Sequence, residues 1–403
     1  MDPKVFGATI AALRKKKGYT QASLAEKLNC SDKTVSKWES GTGCPDIMLL
    51  PALAKLLGVT VDQLFSEKNK GIVVAGNFVV DIVKNIDVYP APGMLTDIRS
   101  LSLAIGGCAP NTATDLAKLD RTLPVSVLGR VGDDEYGRFL ISKLQTQGIN
   151  VAGVCVSTKQ QTAFSDVMSL PSGERTFFSC RGANAEFSPC DVDITTLNCK
   201  ILHIGYILLL DKFDEEDEEY GTVMARFLHS LQERGIRTSI DAVSDSSGRF
   251  AEKIVPALLY ADYVIINEIE CCSIWGIEPR SADGSLDVAA VRIAMEKTMA
   301  AGVGQKVIVH AKEAGFCLNA DGEFTKVGSL KLPVGLIKGS VGAGDAFCAG
   351  CLYGIYHEFS DKEMLEFASA TAAQSLFSEN SVDGMRSKKE IYRLAEQYER
   401  RSI

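Results

Sequence analysis

The chain has 403 residues, 46% hydrophobic and 23% charged, the balance of an ordinary globular protein and too long for one small domain. No apolar run reaches the roughly 18 residues of a membrane span. The first apolar stretch runs into Arg14-Lys15-Lys16-Lys17, the reverse of a secretory leader, so a cytoplasmic protein with no membrane partner is expected. The net charge of −8 hides an excess of three positive charges over residues 1–66, which points to a polyanion at that segment alone.

Residues 4–17 place Phe6, Ile10 and Leu13 at helical spacing. Thr20 is a fitting N-cap for a second helix over 21–28, and Asn29-Cys30-Ser31 makes a short turn. A third helix is predicted over 32–39, with Val35 and Trp38 inward, and a fourth over 47–57. Thr60-Val61-Asp62-Gln63 fits a capping box that opens a fifth. Two short helices on a tight turn, the second polar outside, have helix-turn-helix geometry.

The runs Tyr19-Thr20-Gln21-Ala22-Ser23-Leu24-Ala25, Val35-Ser36-Lys37-Trp38-Glu39-Ser40-Gly41 and Leu53-Ala54-Lys55-Leu56-Leu57-Gly58-Val59 resemble the phage-repressor/Cro (XRE) DNA-binding family. The resemblance implies a DNA-binding domain over residues 1–67. In it Gln21 meets a phosphate or base, and Asp32, Lys33, Thr34 and Lys37 face the major groove of double-stranded DNA. Lysine reaches guanine acceptors, whereas Asp32 can only accept, for example from cytosine N4. Such modules work as dimers, because one recognition helix reads too few bases. Nothing in these residues is an evident dimer surface, so the rest of the chain would supply it.

Ser66-Glu67-Lys68-Asn69-Lys70 reads as a short polar linker. From residue 71 strand-like runs (72–75, 125–128, 201–204, 238–241, 263–267, 307–310, 315–318) alternate with helix-like ones (111–119, 137–147, 219–234, 345–356). That alternation predicts an α/β domain over 71–400 with a mostly parallel sheet, whose ligands gather at the carboxyl ends of the strands. The acidic run 214–219 reads as a solvated helix start. The twelve cysteines are scattered without zinc-site spacing, and the CxxC of Cys348 and Cys351 reads as small residues on a packed helix.

No GxxxxGK[ST] loop occurs. Instead Gly339-Ser340-Val341-Gly342-Ala343-Gly344-Asp345 opens a helix, where free N–H groups attract anions. Asp81 follows the first strand of this segment, and Gly106-Gly107-Cys108-Ala109-Pro110-Asn111 opens another helix. Arg181-Gly182-Ala183-Asn184 and Asn267-Glu268-Ile269-Glu270 complete the set. Their order and spacing resemble the PfkB/ribokinase carbohydrate kinases over residues 71–390.

The resemblance implies a ribokinase-like three-layer α/β/α sandwich with a small β lid from about 83–105 and 162–180. It implies ATP-dependent phosphorylation of a sugar or nucleoside hydroxyl with Asp345 as general base. The N–H groups of Gly342, Ala343 and Gly344 would stabilise the transferring phosphoryl group. Asp81, Gly106, Gly107, Asn111, Arg181 and Asn184 would form the sugar site. Asn267 and Glu270 would organise Mg²⁺, largely through water, and Lys312 and Gly315 would border the nucleotide. A homodimer through the lids would present two DNA-binding domains. Two departures stand out. Gly339 replaces the aspartate that in the family lies by a monovalent-cation site, which leaves K⁺ open as a cofactor. Lys312 replaces a glycine and either contacts a phosphate or crowds the site. Two readings follow: an active sugar kinase that binds DNA, or a sugar-sensing transcriptional regulator with little turnover.

Overall fold

The computed structural model describes residues 3–65, 71–172, 174–244 and 248–403. The chain divides into two compact units, Met1–Lys70 and Gly71–Ile403. The linker at 66–70 and the Asp62 and Gln63 side chains of the expected capping box lie outside the described residues.

The first unit contains α1 (Pro3–Lys16), α2 (Gln21–Lys27), α3 (Asp32–Glu39), α4 (Leu50–Leu57) and α5 (Val61–Phe65). Thr20 caps α2 by accepting from the Ser23 N–H, and Ser31 caps α3 by accepting from the Thr34 N–H. Asn29 makes the turn between them at φ +53°, a backbone state asparagine tolerates well. The fourth helix starts at Leu50, not at 47. Asp46 takes the Met48 N–H in a local turn at 2.8 Å, and Pro51 suits the first helical turn. Ile10, Leu24, Val35, Leu53 and Leu64 are fully buried at the centre. The α1–α3 contact is close enough that a Cβ on Gly7 would lie 2.2 Å from the Trp38 carbonyl oxygen.

At one edge of this core the Arg14 guanidinium grips Glu39 with two hydrogen bonds, at 2.5 and 3.0 Å. It also donates to the Tyr19 carbonyl, while the Gln21 amide donates to Glu39 Oε2. Burial works against the Glu39 charge, but the hydrogen bonds from Arg14 and Gln21 outweigh it and hold the carboxyl below its usual range. Removing one partner of a buried pair strands the other charge, at a cost of about 3 kcal/mol. Glu39→Ala should therefore lower the urea midpoint of this unit, read from Trp38 fluorescence in a Trp275→Phe background. An unchanged midpoint would show that the pair contributes nothing.

The second unit runs β1 (Ile72–Ala75), β2 (Val79–Ile86), β3 (Ile98–Gly106), α6 (Cys108–Leu119), β4 (Val125–Gly132), α7 (Glu135–Thr146), β5 (Asn150–Ser157), β6 (Phe164–Ser169) and β7 (Arg175–Cys180). It continues with β8 (Ile201–Ile207), β9 (Glu216–Asp217), β10 (Gly221–Thr222), α8 (Val223–Gln232), β11 (Arg237–Ala242), α9 (Phe250–Leu258), β12 (Tyr263–Asn267) and α10 (Glu268–Ser273). It ends with α11 (Val288–Ala300), β13 (Lys306–His310), β14 (Ala314–Asn319), β15 (Phe324–Gly328), α12 (Ala343–Tyr356), α13 (Asp361–Ser375) and α14 (Lys388–Gln397).

Among the described residues the main sheet has the order β15-β14-β13-β12-β11-β8-β1-β4-β5. It is parallel from β5 to β13 and antiparallel in its last two pairings. Alternate residues of β1 feed two separate cores: Ile72 and Val74 pack under α6, α7, α12, α13 and α14, and Val73 and Ala75 under α8, α9, α10 and α11. This is the expected three-layer sandwich. A second sheet, ordered β3-β2-β6-β7, forms the lid.

Two local features differ from expectation. Strands β5 and β15 are additional; both are edge strands, and their half-exposed patterns resemble loops in sequence. The acidic run is not a helix start: Glu216–Asp217 pairs with Gly221–Thr222 in a hairpin, and α8 begins after the Thr222 cap. All twelve cysteines are free; Cys348 and Cys351 are buried in α12, and Cys44 and Cys190 are exposed. No helix of the described residues is long and apolar enough to cross a membrane.

Candidate active site

Two helix starts meet above the sheet. Helix α12 begins after Gly342, whose φ of +79° and lack of side chain both matter, since a Cβ there would lie 2.6 Å from Ser381. Its first turn carries Asp345, 5% exposed. Helix α6 begins after Gly107, at φ +88°, and carries Asn111, whose amide donates to Asp345 Oδ2 at 2.9 Å. The Tyr206 hydroxyl donates to Oδ1 at 3.2 Å. Burial pushes the Asp345 carboxyl up to about 7, the charge of Asp81 pushes the same way, and the Asn111 and Tyr206 hydrogen bonds oppose them.

Asp81 stands on the lid strand β2, opposite Ala104 and Ser165. Burial pushes its carboxyl up to about 6 against the pull of Arg175. Gly106 makes this placement feasible, because a Cβ there would lie 2.6–2.8 Å from the Asp81 carboxylate. Both glycines of the pair are thus required by neighbouring protein atoms, Gly107 by the Asn77 carbonyl at 2.2 Å. The amide oxygen of Asn111 is buried without a partner among the described residues, as are both carboxylate oxygens of Asp115 one turn along α6.

The side chains of Asn184 and Arg181, also expected at the sugar, are engaged with other protein groups. The Asn184 amide is consumed by Phe78, accepting from its N–H and donating to its carbonyl, each at 3.0 Å. It therefore fixes the loop that leads to Asp81. Arg181 is half-exposed and paired with Asp211 at 2.7 Å, a surface ion pair.

A cleft of about 600 Å³ adjoins the α12 start, lined by Lys312, Leu330, Ile337, Ala343, Gly344 and Phe347 among others. Apolar walls with a few polar groups suit a heterocyclic base, and the Ser369 hydroxyl on this wall is buried without a partner among the described residues. Gly315 lies behind the cleft, with the Phe347 ring 3.1 Å from where its Cβ would be. The glycine serves packing there, and Ala314 lines the cleft instead.

Asn267 and Glu270 form a reciprocal capping box on α10, with the Asn267 side chain accepting from the Glu270 N–H and Glu270 accepting from the Asn267 N–H. The Ser244 hydroxyl donates to the other Glu270 oxygen at 2.9 Å. Burial raises the Glu270 carboxyl, and burial with the charges of Glu270 and Asp345 raises Asp241 at the end of β11. Asp241 and Tyr206 are site residues that no motif announced. Their only trace in sequence is a position near the carboxyl end of a strand.

In the first unit Lys33 and Lys37 of α3 are exposed. Asp32 Oδ1 accepts from the Lys33 N–H, and the Thr34 hydroxyl bonds with the Ser31 hydroxyl. Gln21, expected at a phosphate or base, is engaged with Glu39.

The family model of the pfkB carbohydrate kinases matches residues 70–388. This chain belongs to the pfkB family of carbohydrate kinases. A helix-turn-helix model matches residues 10–64 of the same kinase. A 5-dehydro-2-deoxygluconokinase of Shouchella clausii is 24% identical over 341 residues, 83% of this chain and 98% of its own. A ribokinase of Schizosaccharomyces pombe is 25% identical over 307 residues, 75% of this chain and 90% of its own. The ribokinases of Thermotoga maritima and Arabidopsis thaliana, the latter solved with ribose and ATP, superpose with TM-scores of 0.67 at 20% identity, over 81% of this chain and 99% of theirs. The kinase is thus an ATP-dependent carbohydrate kinase by family, with the ribokinase fold.

Because the Asp81 charge opposes ionisation of Asp345, Asp81→Asn should bring the Asp345 titration down from near 7. Infrared difference spectra of the protonated carboxyl, with Asp345→Asn as blank, would show the lower midpoint. An unmoved midpoint would mean that the two carboxyls do not sense each other.

Proposed function

We propose that this kinase transfers the γ-phosphoryl group of ATP to a hydroxyl of a sugar or nucleoside, with Asp345 as general base, and that residues 1–67 bind duplex DNA. The observation that carries the first part is the buried Asp345 carboxyl, pushed up to about 7 and set at a helix start beside the nucleotide cleft. A base works best when its proton affinity lies near the working pH. Asp345 takes the proton of the substrate hydroxyl as that oxygen bonds to the γ-phosphorus; the bond to the β-phosphate oxygen breaks and ADP leaves. The N–H groups of Gly342, Ala343 and Gly344 stabilise the charge on the transferring group.

Asp81 and the unpartnered Asn111 oxygen accept from substrate hydroxyls, and closure of the lid over them excludes water. Gly106, Gly107 and Asn184 shape this pocket through neighbouring atoms. Lys312, on the cleft wall, is placed for a phosphate. The Asn267–Glu270 pair fits Mg²⁺ held through water: each Glu270 oxygen already accepts one hydrogen bond, and a carboxylate has about four such sites. Bound there, Mg²⁺ would neutralise charge on the nucleotide phosphates.

Support for the second part is the helix-turn-helix match and the exposed Lys33 and Lys37 on α3. A homodimer would bring two such helices to one site. Coupling between the two activities would appear as sugar-dependent DNA affinity.

Asp345→Asn should lower kcat at least about 10²-fold, in an ADP-release assay across a panel of sugars and nucleosides. An unchanged rate would overturn the assignment of the base. If no compound in the panel is turned over while sugars alter DNA affinity, the regulator without turnover is the better reading. Lys33→Ala should weaken binding to a duplex selected from a random pool by about 1–3 kcal/mol. Retained affinity in a filter-binding titration would remove α3 from the interface.

A further inference from the structure

Strand β8 is irregular beside the site. Ile204 pairs with Ile240 and Ile207 with Ala242, so three steps along β8 face two along β11. Within this bulge Tyr206 has φ +63°, and Leu208 follows at φ +85°. Bulky residues avoid that left-handed region, so both positions are strained. Bulges of this kind re-aim a side chain and collect beside active sites. The one here aims the Tyr206 phenol at Asp345 Oδ1, 3.2 Å away, while Asn111 holds Oδ2.

We propose that Tyr206 is a positioning residue for phosphoryl transfer, whose hydroxyl fixes the Asp345 carboxylate and favours its ionised form, so that the base is available at neutral pH. The inference rests on Asp345 acting as the base. Burial and the Asp345 charge push the Tyr206 phenol well above its ordinary range, so towards the carboxylate it acts only as a donor. A donor to a carboxylate favours the charged form.

The groups that face Asp345 make this donor necessary. Asp81 on β2 opposes ionisation directly. Burial raises the Asp115 carboxyl and the Cys108 thiol of α6, and the Cys348 thiol one turn along α12, well above their ordinary ranges. Asp241 on β11, with Glu270 behind it, adds further acidic groups. Against them stand two neutral donors, Asn111 and Tyr206. Asn111 also has a sugar to hold in the proposed mechanism, whereas the Tyr206 hydroxyl is engaged with the base.

The test is the pH dependence of kcat/KM, whose acid limb reports the base of the free enzyme. Loss of a hydrogen bond to a charged group should move that limb up by about one pH unit in Tyr206→Phe. The variant should be roughly tenfold slower below the limb and converge with the unsubstituted enzyme above it, with thermal unfolding followed alongside. A limb that stays in place, or a loss equal at every pH, would overturn the proposal. If Tyr206→Phe fails to fold, Tyr206→Asn serves with the same two outcomes, since asparagine suits the left-handed region and is too short to reach Asp345. Asp345→Asn separates the two levels. If it keeps the unsubstituted profile, the base reading falls; if it is inactive while Tyr206→Phe leaves the limb unmoved, only the role of Tyr206 falls.

Discussion

Much of the kinase unit is organised around one costly placement, a carboxyl group buried at the start of α12 with no cationic side chain bonded to it among the described residues. A carboxylate in such a position must find hydrogen-bond donors or stay protonated. Asn111 and Tyr206 supply two donors, one on each oxygen, from α6 and β8. That demand fixes the approach of the two helix starts, and through it several glycines. Gly342 lets α12 begin against Ser381, Gly107 lets α6 begin against the Asn77 carbonyl, and Gly106 leaves room for the Asp81 carboxylate. Asn184 then holds Phe78, and with it the loop from β1 to the lid.

The N-terminal unit solves a similar problem in the opposite way. Glu39 is partly buried, but an arginine fork meets it, and the carboxyl is held below its usual range. At Asp345 the donors are neutral, burial prevails, and the group is poised to gain or lose a proton. The contrast follows from the partner. A full positive charge at 2.5 Å outweighs desolvation, whereas two dipoles only reduce it.

Much of this was legible in the sequence, for identifiable reasons. The strands 72–75 and 263–267 begin and end where their apolar runs do, because central parallel strands are buried on both faces. The edge strands β5 and β15 escaped because exposure on one side removes that signal. Asp345, Asn111 and Asp81 stand out by their glycine-rich settings, and the fold brings them together. Asn184, Gly106 and Gly315 stand in equally suggestive settings, yet their closest dealings are with Phe78, Asp81 and Phe347. A sequence shows that a glycine or an amide is needed, but not whether a ligand or the protein itself needs it. Tyr206 was illegible, because its meaning lies in a backbone bulge and a positive φ that no residue type encodes.

The distribution of thiols has a practical corollary. Most cysteines are buried or partly covered, and one exposed cysteine falls in each unit, Cys44 in the first and Cys190 in the second. The molecule thus carries its own pair of attachment points for donor and acceptor dyes. Energy transfer between them would report the separation of the helix-turn-helix and kinase units as ligands are added, without an engineered label site.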